Sequence, residues 1–464
     1  MNKKIIFITI ESVKRELNSK TLLALKALKR NYRVVIGQKG GLRQLIKDTN
    51  PGIMILKSFG PKNTHHIDFI KKNNFKVVSN DEELITAIDY EDKIEWRMNN
   101  ENLSKLDILY AVGETSDYPI MKKKFSSKVK NILVCGNLRL ELLKKKYSKL
   151  LEKDTNLYKK KFGNYFLLLT SFAAVNKLYK KSQIDFIYNR IIDDNIDPNS
   201  SHIAQRNDQV IMQRDILIQT LKFIDDFEKN FPNQNLVISP HPNEKIEFWK
   251  YYINKRKFKN IFLNTDMLSS SYSLINASEL LISFNSTSLL EAYFLNKKSI
   301  NLLGNKTRIS EIDLLNKVSK IVRSTKELNE TIANLNITEI TKPLNEELKE
   351  IKNSDYNFDC FESYLDSFDK LEGVNAYDKI YKNYFSMVKS KFRSLYNYTK
   401  KIISYKLKLN PMIEHLHKTK VGTRLQSKNF VDNVQHINSL ENVENLKIKK
   451  IAPEVFLLDT INKY

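Results

Sequence analysis

The sequence predicts an α/β chain of two Rossmann-like domains facing across a cleft, with a C-terminal helical extension. Three observations predict it. Short apolar runs alternate with helical stretches over most of the first 370 residues, the pattern of parallel sheets whose strands are joined by helices. At 464 residues the chain is too long for one ordinary domain and suits two of about 150–200 residues plus an appendage. The stretch Leu280–Gly304, LLISFNSTSLLEAYFLNKKSINLLG, reads as an apolar strand, a hydroxyl-rich helix start and a second strand.

Ile5–Ile10 reads as the first strand and Ser19–Leu28 as a helix opened by a capping serine. Arg33–Ile36 follows as a strand ended by Gly37, and Gly40-Gly41 starts the turn into Leu42–Lys47. Further strands are expected at Ile53–Leu56, Lys76–Ser79, Ile108–Val112 and Asn131–Val134, which sets the first domain at residues 1–160. A second series begins near Tyr165–Thr170 and continues through a long helix at Gln209–Asn230. Strands at Leu236–Ser239, Ile261–Leu263, Leu280–Ser283 and Ser299–Leu303 complete a second domain over residues 161–370. Lys181–Asp208 is polar, carries Pro198 and lacks periodicity, so it reads as an irregular insertion.

In residues 371–464 the character changes. Tyr381, Phe385, Val388, Phe392, Leu395, Thr399 and Ile402 fall on one face of a helix, and Lys379–Lys420 holds eleven Lys or Arg against the single acid Glu414. Such a basic, aromatic helix suits an anionic leaflet. The alternative is a helix that packs its stripe on the first domain and leaves its lysines in water.

With 41% hydrophobic residues the chain can bury substantial cores, and its net charge of +24 suits nucleic acid, an anionic membrane surface or anionic substrates. Lysines are scattered along the whole chain, so compositional bias explains the charge equally well. Cys135 and Cys360 stand far apart, without the spacing of a disulfide scaffold or a zinc site, and the seven histidines form no HExxH pattern. The apolar run Ile5–Ile10, stopped by Glu11, is too short for a signal peptide, and no run approaches the ~18 apolar residues of a membrane span. The expected compartment is the cytoplasm, with the inner face of the cytoplasmic membrane as a peripheral site.

Asn285-Ser286-Thr287 sits where a strand (Leu281, Ile282, Phe284) runs into a helix. Hydroxyl groups and unpaired N–H groups there make an anion site. Upstream, Leu236-Val237-Ile238-Ser239-Pro240-His241-Pro242 ends a strand with a histidine between two prolines. Together they predict a pocket for a phosphate-bearing ligand at the carboxyl edge of a parallel sheet.

Ile10-Glu11-Ser12-Val13-Lys14-Arg15-Glu16-Leu17, then Leu22-Leu23-Ala24 and Val34-Val35-Ile36-Gly37, resembles the start of the bacterial surface carbohydrate biosynthesis protein family. Asn80-Asp81-Glu82-Glu83, Gly136-Asn137-Leu138-Arg139 and Ser239-Pro240-His241-Pro242-Asn243-Glu244 look like the same family. Asn285-Ser286-Thr287 with Glu291-Ala292 is similar both to it and to capsule polysaccharide transferases that use CMP-linked Kdo. The resemblance covers roughly residues 1–310. It implies a GT-B glycosyltransferase making lipopolysaccharide or capsule glycans, with a nucleotide-sugar donor on the second domain and an acceptor on the first. The nearest enzymes of assigned chemistry are retaining β-Kdo transferases. The sequence departs at Asn296-Lys297-Lys298, where Gly-Lys-Pro is common, and at Ser239, where an Arg is common.

On that reading His241 would hydrogen-bond the donor phosphate and stabilise the leaving CMP, unless it is an ordinary loop histidine. Ser239 and Asn285 belong to the same donor site; Ser286 and Thr287 would bind the phosphate, with simple helix capping as the alternative. Glu291 would accept from ribose hydroxyls or be an ordinary exposed acid. Glu11 would take a proton from the attacking hydroxyl or attack the anomeric carbon, and Glu114 is a second acidic candidate. Arg15 belongs to the acceptor side, although it and Glu16 would also make a structural ion pair. Asn137 and Arg139 would meet an anionic acceptor or donor carboxylate, or form a turn and a surface helix. No Asp-x-Asp follows an apolar strand, so the expected chemistry is metal-independent and without a cofactor.

The expected partners are a nucleotide sugar, a glycan or lipid-linked acceptor and an anionic membrane, with no specific nucleic acid. A second enzyme reading transfers glycerol or ribitol phosphate from a CDP-linked donor. A non-enzymatic reading, nucleic-acid binding through positive charge, lacks a recognition motif or zinc finger.

Overall fold

The computed structural model describes residues 2–79, 81–82, 91–114, 116–176, 191, 197–199, 201–241, 243–266, 271–304, 313–334, 359–406 and 427–460. The chain divides into two α/β units, one formed by Met1–Leu142 with Asn345–Tyr464 and the other by Leu143–Leu344.

Unit 1 is built on β1 (Ile5–Ile10), β2 (Arg33–Gln38), β3 (Ile53–Leu56), β4 (Lys76–Ser79), β5 (Ile108–Ala111) and β6 (Ile132–Val134). They lie side by side as β2-β1-β3-β4-β5-β6, every pair parallel. Helices over both faces explain the unbroken apolar runs, and all six residues of β1 are buried. Phe7, Met54, Val77 and Leu109 anchor one face of this core.

Unit 2 holds β7 (Tyr165–Leu169), β8 (Asn235–Ser239), β9 (Ile261–Leu263), β10 (Leu280–Ser283), β11 (Lys298–Leu302) and β12 (Lys320–Val322). Their order is β12-β11-β10-β7-β8-β9, again all parallel. Trp249, Phe172 and Phe284 fill the core beside them. The sequence boundary at residue 160 falls inside a helix, Lys149–Phe162, that belongs wholly to this unit: it packs against Ser271–Ala277, stacking Phe162 on Tyr158 and setting it edge-on to Tyr165.

The chain then returns to unit 1. The helix Cys360–Asp369 packs on the helix Val13–Lys29, where Arg30 meets Glu362, Asp366 and Asp369, and the Cys360 thiol donates to the Cys135 carbonyl at 2.7 Å. Residues 371–464 are not purely helical as expected. They end in a hairpin of β13 (Leu446–Ala452) and β14 (Val455–Thr460), and β14 pairs antiparallel with β2. A second expectation is corrected at β2, which runs through Gly37 to Gln38 because these residues pair with Thr9 and Ile10 of β1, while Val455 pairs with Gly37 from the other side. A third correction concerns the first helix, which starts at Val13 after Ser12 rather than at Ser19; the Ser19 hydroxyl donates to the Glu16 carbonyl within the helix. The long helix of unit 2 starts at Ser201, inside the expected insertion, most of which lies outside the described residues.

The hairpin docks against bare backbone. A Cβ on Gly41 would stand 2.5 Å from the Val455 side chain and 2.9 Å from the Pro453 carbonyl, whereas one on Gly40 would meet nothing within 4 Å. Gly41→Val is therefore expected to lower the urea midpoint by an amount equivalent to about 1–3 kcal/mol, as overpacking does. Gly40→Ala, in the same helix, should leave the midpoint unchanged or raise it.

Candidate functional site

In unit 2 the strand order reverses direction between β7 and β10, and ligands of doubly wound sheets bind outside the carboxyl ends of the strands at such a point. Register brings three strand ends level: Leu169 pairs with Ser239, and the Ser283 hydroxyl donates to the Leu169 carbonyl at 3.0 Å. The loops after β8 and β10, carrying His241 and Asn285-Ser286-Thr287, therefore leave one sheet edge two strand spacings apart, roughly 10 Å.

Glu244 fixes the β7 and β8 loops. Its buried carboxylate accepts from the Thr170 hydroxyl at 2.7 Å, the Phe172 N–H at 2.9 Å, the Trp249 indole at 2.9 Å and the His241 N–H at 3.3 Å. Burial pushes its pKa up, against these hydrogen bonds, which lower it. The loop in turn sets the histidine. His241 Nδ1 accepts from the Asn243 N–H at 3.1 Å, so the neutral ring carries its proton on Nε2. Asn264 donates to the buried Ser239 hydroxyl at 3.1 Å.

On the other side of β7, Asn285 adopts a left-handed φ of 45° and donates its N–H to Asn301 at 2.9 Å. This turn opens the helix Thr287–Phe294. Ser286 is its N-cap, accepting from the Ser288 N–H at 3.3 Å and the Ser288 hydroxyl at 2.9 Å. The Ser286 hydroxyl thus serves as a cap, the alternative the sequence left open, and Thr287 is half-buried in the first turn. Asn285 Oδ1 is buried without a hydrogen-bond partner among the described residues. Glu291 is buried, which excludes the ordinary exposed acid.

Unit 1 has its own switch point, between β1 and β3. Glu11 follows β1 and lies exposed, with Lys57, the first residue after β3, 3.8 Å away. Behind them Glu16, fully buried, accepts from the Glu11 N–H at 3.0 Å and the Ser12 N–H at 3.1 Å, much as a capping-box acid does. It pairs with Lys20 at 2.7 Å and Lys57 at 3.4 Å. Lys20 also donates to the Thr9 carbonyl at 2.7 Å and lies 3.3 Å from Glu82, just beyond β4. Burial acts to raise the Glu16 pKa, but the ammonium groups of Lys20 and Lys57 prevail and hold it at about 2. Glu82 is pushed up by burial, with Lys20 and the buried Arg139 pulling the other way.

Arg15 stands half-buried in the first helix, and Glu16 pairs with Lys20 and Lys57. Asn137 caps the helix Leu138–Glu141, accepting from the Arg139 and Leu140 N–H groups, and that helix is buried throughout rather than on the surface. Glu114 is exposed in its turn; the buried Asp117 secures that loop, accepting the Val112 and Gly113 N–H groups at 2.9 Å. Asn80, Glu83 and Pro242 lie outside the described residues. Lys20, Lys57 and Glu82 were missed. The signal for Lys57 was a charge directly beyond an apolar strand and for Lys20 an i,i+4 partner, Glu16; Glu82 follows β4 by three residues.

The sequence matches no family model and no curated protein. Among solved structures, the UDP-GlcNAc 2-epimerase of Methanocaldococcus jannaschii is similar at 14% identity and TM-score 0.45, over 76% of this chain and 98% of that one. The wall teichoic acid polymerase TagF soaked with CDPG gives 12% and 0.44 over 79% and 88%. Anabaena HepE with UDP and glucose gives 11% and 0.40 over 80% and 100%. The likeness is one of chain path.

Glu16 generates a pH dependence. Its folded pKa of about 2 lies below its ordinary value of 4.5, so its contribution is complete above about pH 4.5 and is lost as the pH falls toward 2. Glu16→Gln, which takes from the buried Lys20 its nearest carboxylate, is expected to cost about 3–5 kcal/mol in urea unfolding at pH 7 and to flatten this acid limb.

Proposed function

We propose that the chain is a transferase acting on a nucleotide-linked sugar, and that it grips the donor phosphate between His241 and the N-terminus of the helix Thr287–Phe294. The observation that carries this reading is the His241 tautomer: Nδ1 accepts from the Asn243 N–H, which directs Nε2 to donate, at an edge where a helix start two strands away supplies further donors. In the reaction an acceptor hydroxyl attacks the anomeric carbon, the bond from that carbon to the phosphate oxygen breaks, and its electron pair leaves on the nucleotide. A hydrogen bond from Nε2 and the helix N–H groups stabilise the charge that develops there. On the acceptor side Glu11 is the proposed base, its carboxylate exposed while Glu16 fixes its backbone.

A CMP-linked acidic sugar such as Kdo is the proposed donor, and a surface polysaccharide or lipid-linked glycan the acceptor. Thermal-shift measurements with CMP, CDP and UDP, then with CMP-sugars against CDP-glycerol and CDP-ribitol, test the donor class. Protection by a CMP-sugar supports the proposal, protection by a CDP-polyol alone turns it into polyol-phosphate transfer, and no protection by any nucleotide removes the site. His241→Ala is expected to lower kcat by about 100- to 1,000-fold, the usual effect of removing one such donor. Because the grip uses an imidazole and N–H groups, turnover should survive EDTA; strict dependence on Mg²⁺ or Mn²⁺ would contradict it.

A further inference from the structure

The helix Tyr384–Lys406 is docked on unit 1 inside out. Its aromatic stripe was expected to be either membrane-bound or packed on the first domain; Tyr381, just before the helix, packs on the unit 1 core and Val388 is half-buried, Phe385 and Phe392 face solvent, the side chains of Leu395 and Ile402 lie outside the described residues, and polar side chains of the helix reach unit 1. Ser390 is buried, and Arg393 reaches Asp48 at 2.8 Å and the Gln44 carbonyl at 3.3 Å. Phe385, Phe392 and Tyr396 stand in solvent, 84%, 71% and 67% exposed, and share one face through their spacing of seven and four. Tyr384 beside them is 74% exposed. Large aromatics that cluster outward, where an ordinary helix would bury them, mark a surface that meets something else.

Charge identifies the occupant. The helix carries six Lys or Arg and no acid. Lys382, Lys389 and Lys391 are exposed beside the aromatic face, and Lys379 is 81% exposed. At the start of the same helix opens a cavity of 540 Å³, with Lys379, Lys382, Lys391 and Lys449 around it and Tyr384 and Met387 on its wall. Two acids also line it; one of them, Asp459, is engaged by Lys3 at 2.7 Å and Arg33 at 2.6 Å. Apolar rings flanked by ammonium groups on flexible stems are what the headgroup layer of an anionic bilayer accommodates: the rings enter the acyl boundary and the lysines stay with the phosphates. No helix among the described residues is long and apolar enough to cross a membrane.

We propose that the exposed face of Tyr384–Lys406 is a docking surface for an anionic lipid bilayer, with Phe385, Phe392 and Tyr396 as the inserting groups and Lys382, Lys389 and Lys391 as the electrostatic contacts. The full chain is mixed with phosphatidylcholine vesicles with and without about 30 mol% phosphatidylglycerol and floated on a density gradient. Binding is expected only to the anionic vesicles, with a loss of at least tenfold in partitioning for Phe385→Ser/Phe392→Ser/Tyr396→Ser and a comparable loss for Lys382→Gln/Lys389→Gln/Lys391→Gln. Phe392→Trp keeps the apolar face and supplies a reporter: its emission should shift to the blue on anionic vesicles alone.

Several results would overturn the proposal. They are failure of the wild-type chain to float with anionic vesicles, equal flotation of the aromatic variant, and an unshifted Phe392→Trp emission. Tighter retention of the chain on single-stranded RNA than on the vesicles, abolished by the same triple variant, would assign the face to nucleic acid. A concentration-dependent dimer that the triple variant makes monomeric would assign it to a second copy.

Discussion

A buried carboxylate that accepts backbone N–H groups is the interaction on which this structure depends. In parallel sheets every strand delivers its following loop to the same edge, and the N–H groups there have passed beyond the ladder that satisfied them. Three acids answer that need. Glu16 takes the Glu11 and Ser12 N–H groups beyond β1, Asp117 takes those of Val112 and Gly113 beyond β5, and Glu244 takes those of Phe172 and His241 beyond β7 and β8. Each fixes the backbone of a loop that carries a candidate residue, as Glu16 does for Glu11 and Glu244 for His241. The division of labour is between a buried acid that shapes the chain and a neighbouring group that faces outward.

Much of the α/β frame was legible because parallel strands are covered on both faces and so stay apolar at every position. Ile53–Leu56 and Lys76–Ser79 fall where the residues alone put them. The hairpin was not legible. Leu446–Ala452 is lysine-rich and only its last two residues are buried, and its strand character comes from β14, which is itself held by a strand more than 400 residues earlier in the chain. Pairing of that range leaves no local trace. The first helix was misplaced for a different reason: a mid-helix serine resembled a cap, while the actual N-cap, Ser12, lacks a side-chain capping bond and its N–H is met by Glu16.

The site was legible where a motif coincided with a strand end, as for His241 and Ser286, and opaque where charge was buried. Lys20 and Glu82 are types that ordinarily face water, and only the fold shows that they sit inside. The basic helix teaches a related lesson. Periodicity tells which residues share a face, but Phe385 and Ser390 would give the same pattern whichever of their faces pointed inward. What decides is the competing bond, here Arg393 to Asp48.

The order of the units along the chain has a consequence for synthesis. Unit 2, residues 143–344, is inserted between the two parts of unit 1. As the polypeptide leaves the ribosome, its inserted lobe can finish folding while the surrounding one still lacks its last 120 residues. Until β14 emerges, the outer side of β2 is an unpaired edge of the nascent protein, open to a mispaired strand or a chaperone. Translation of the final hairpin is the moment at which that vulnerability closes.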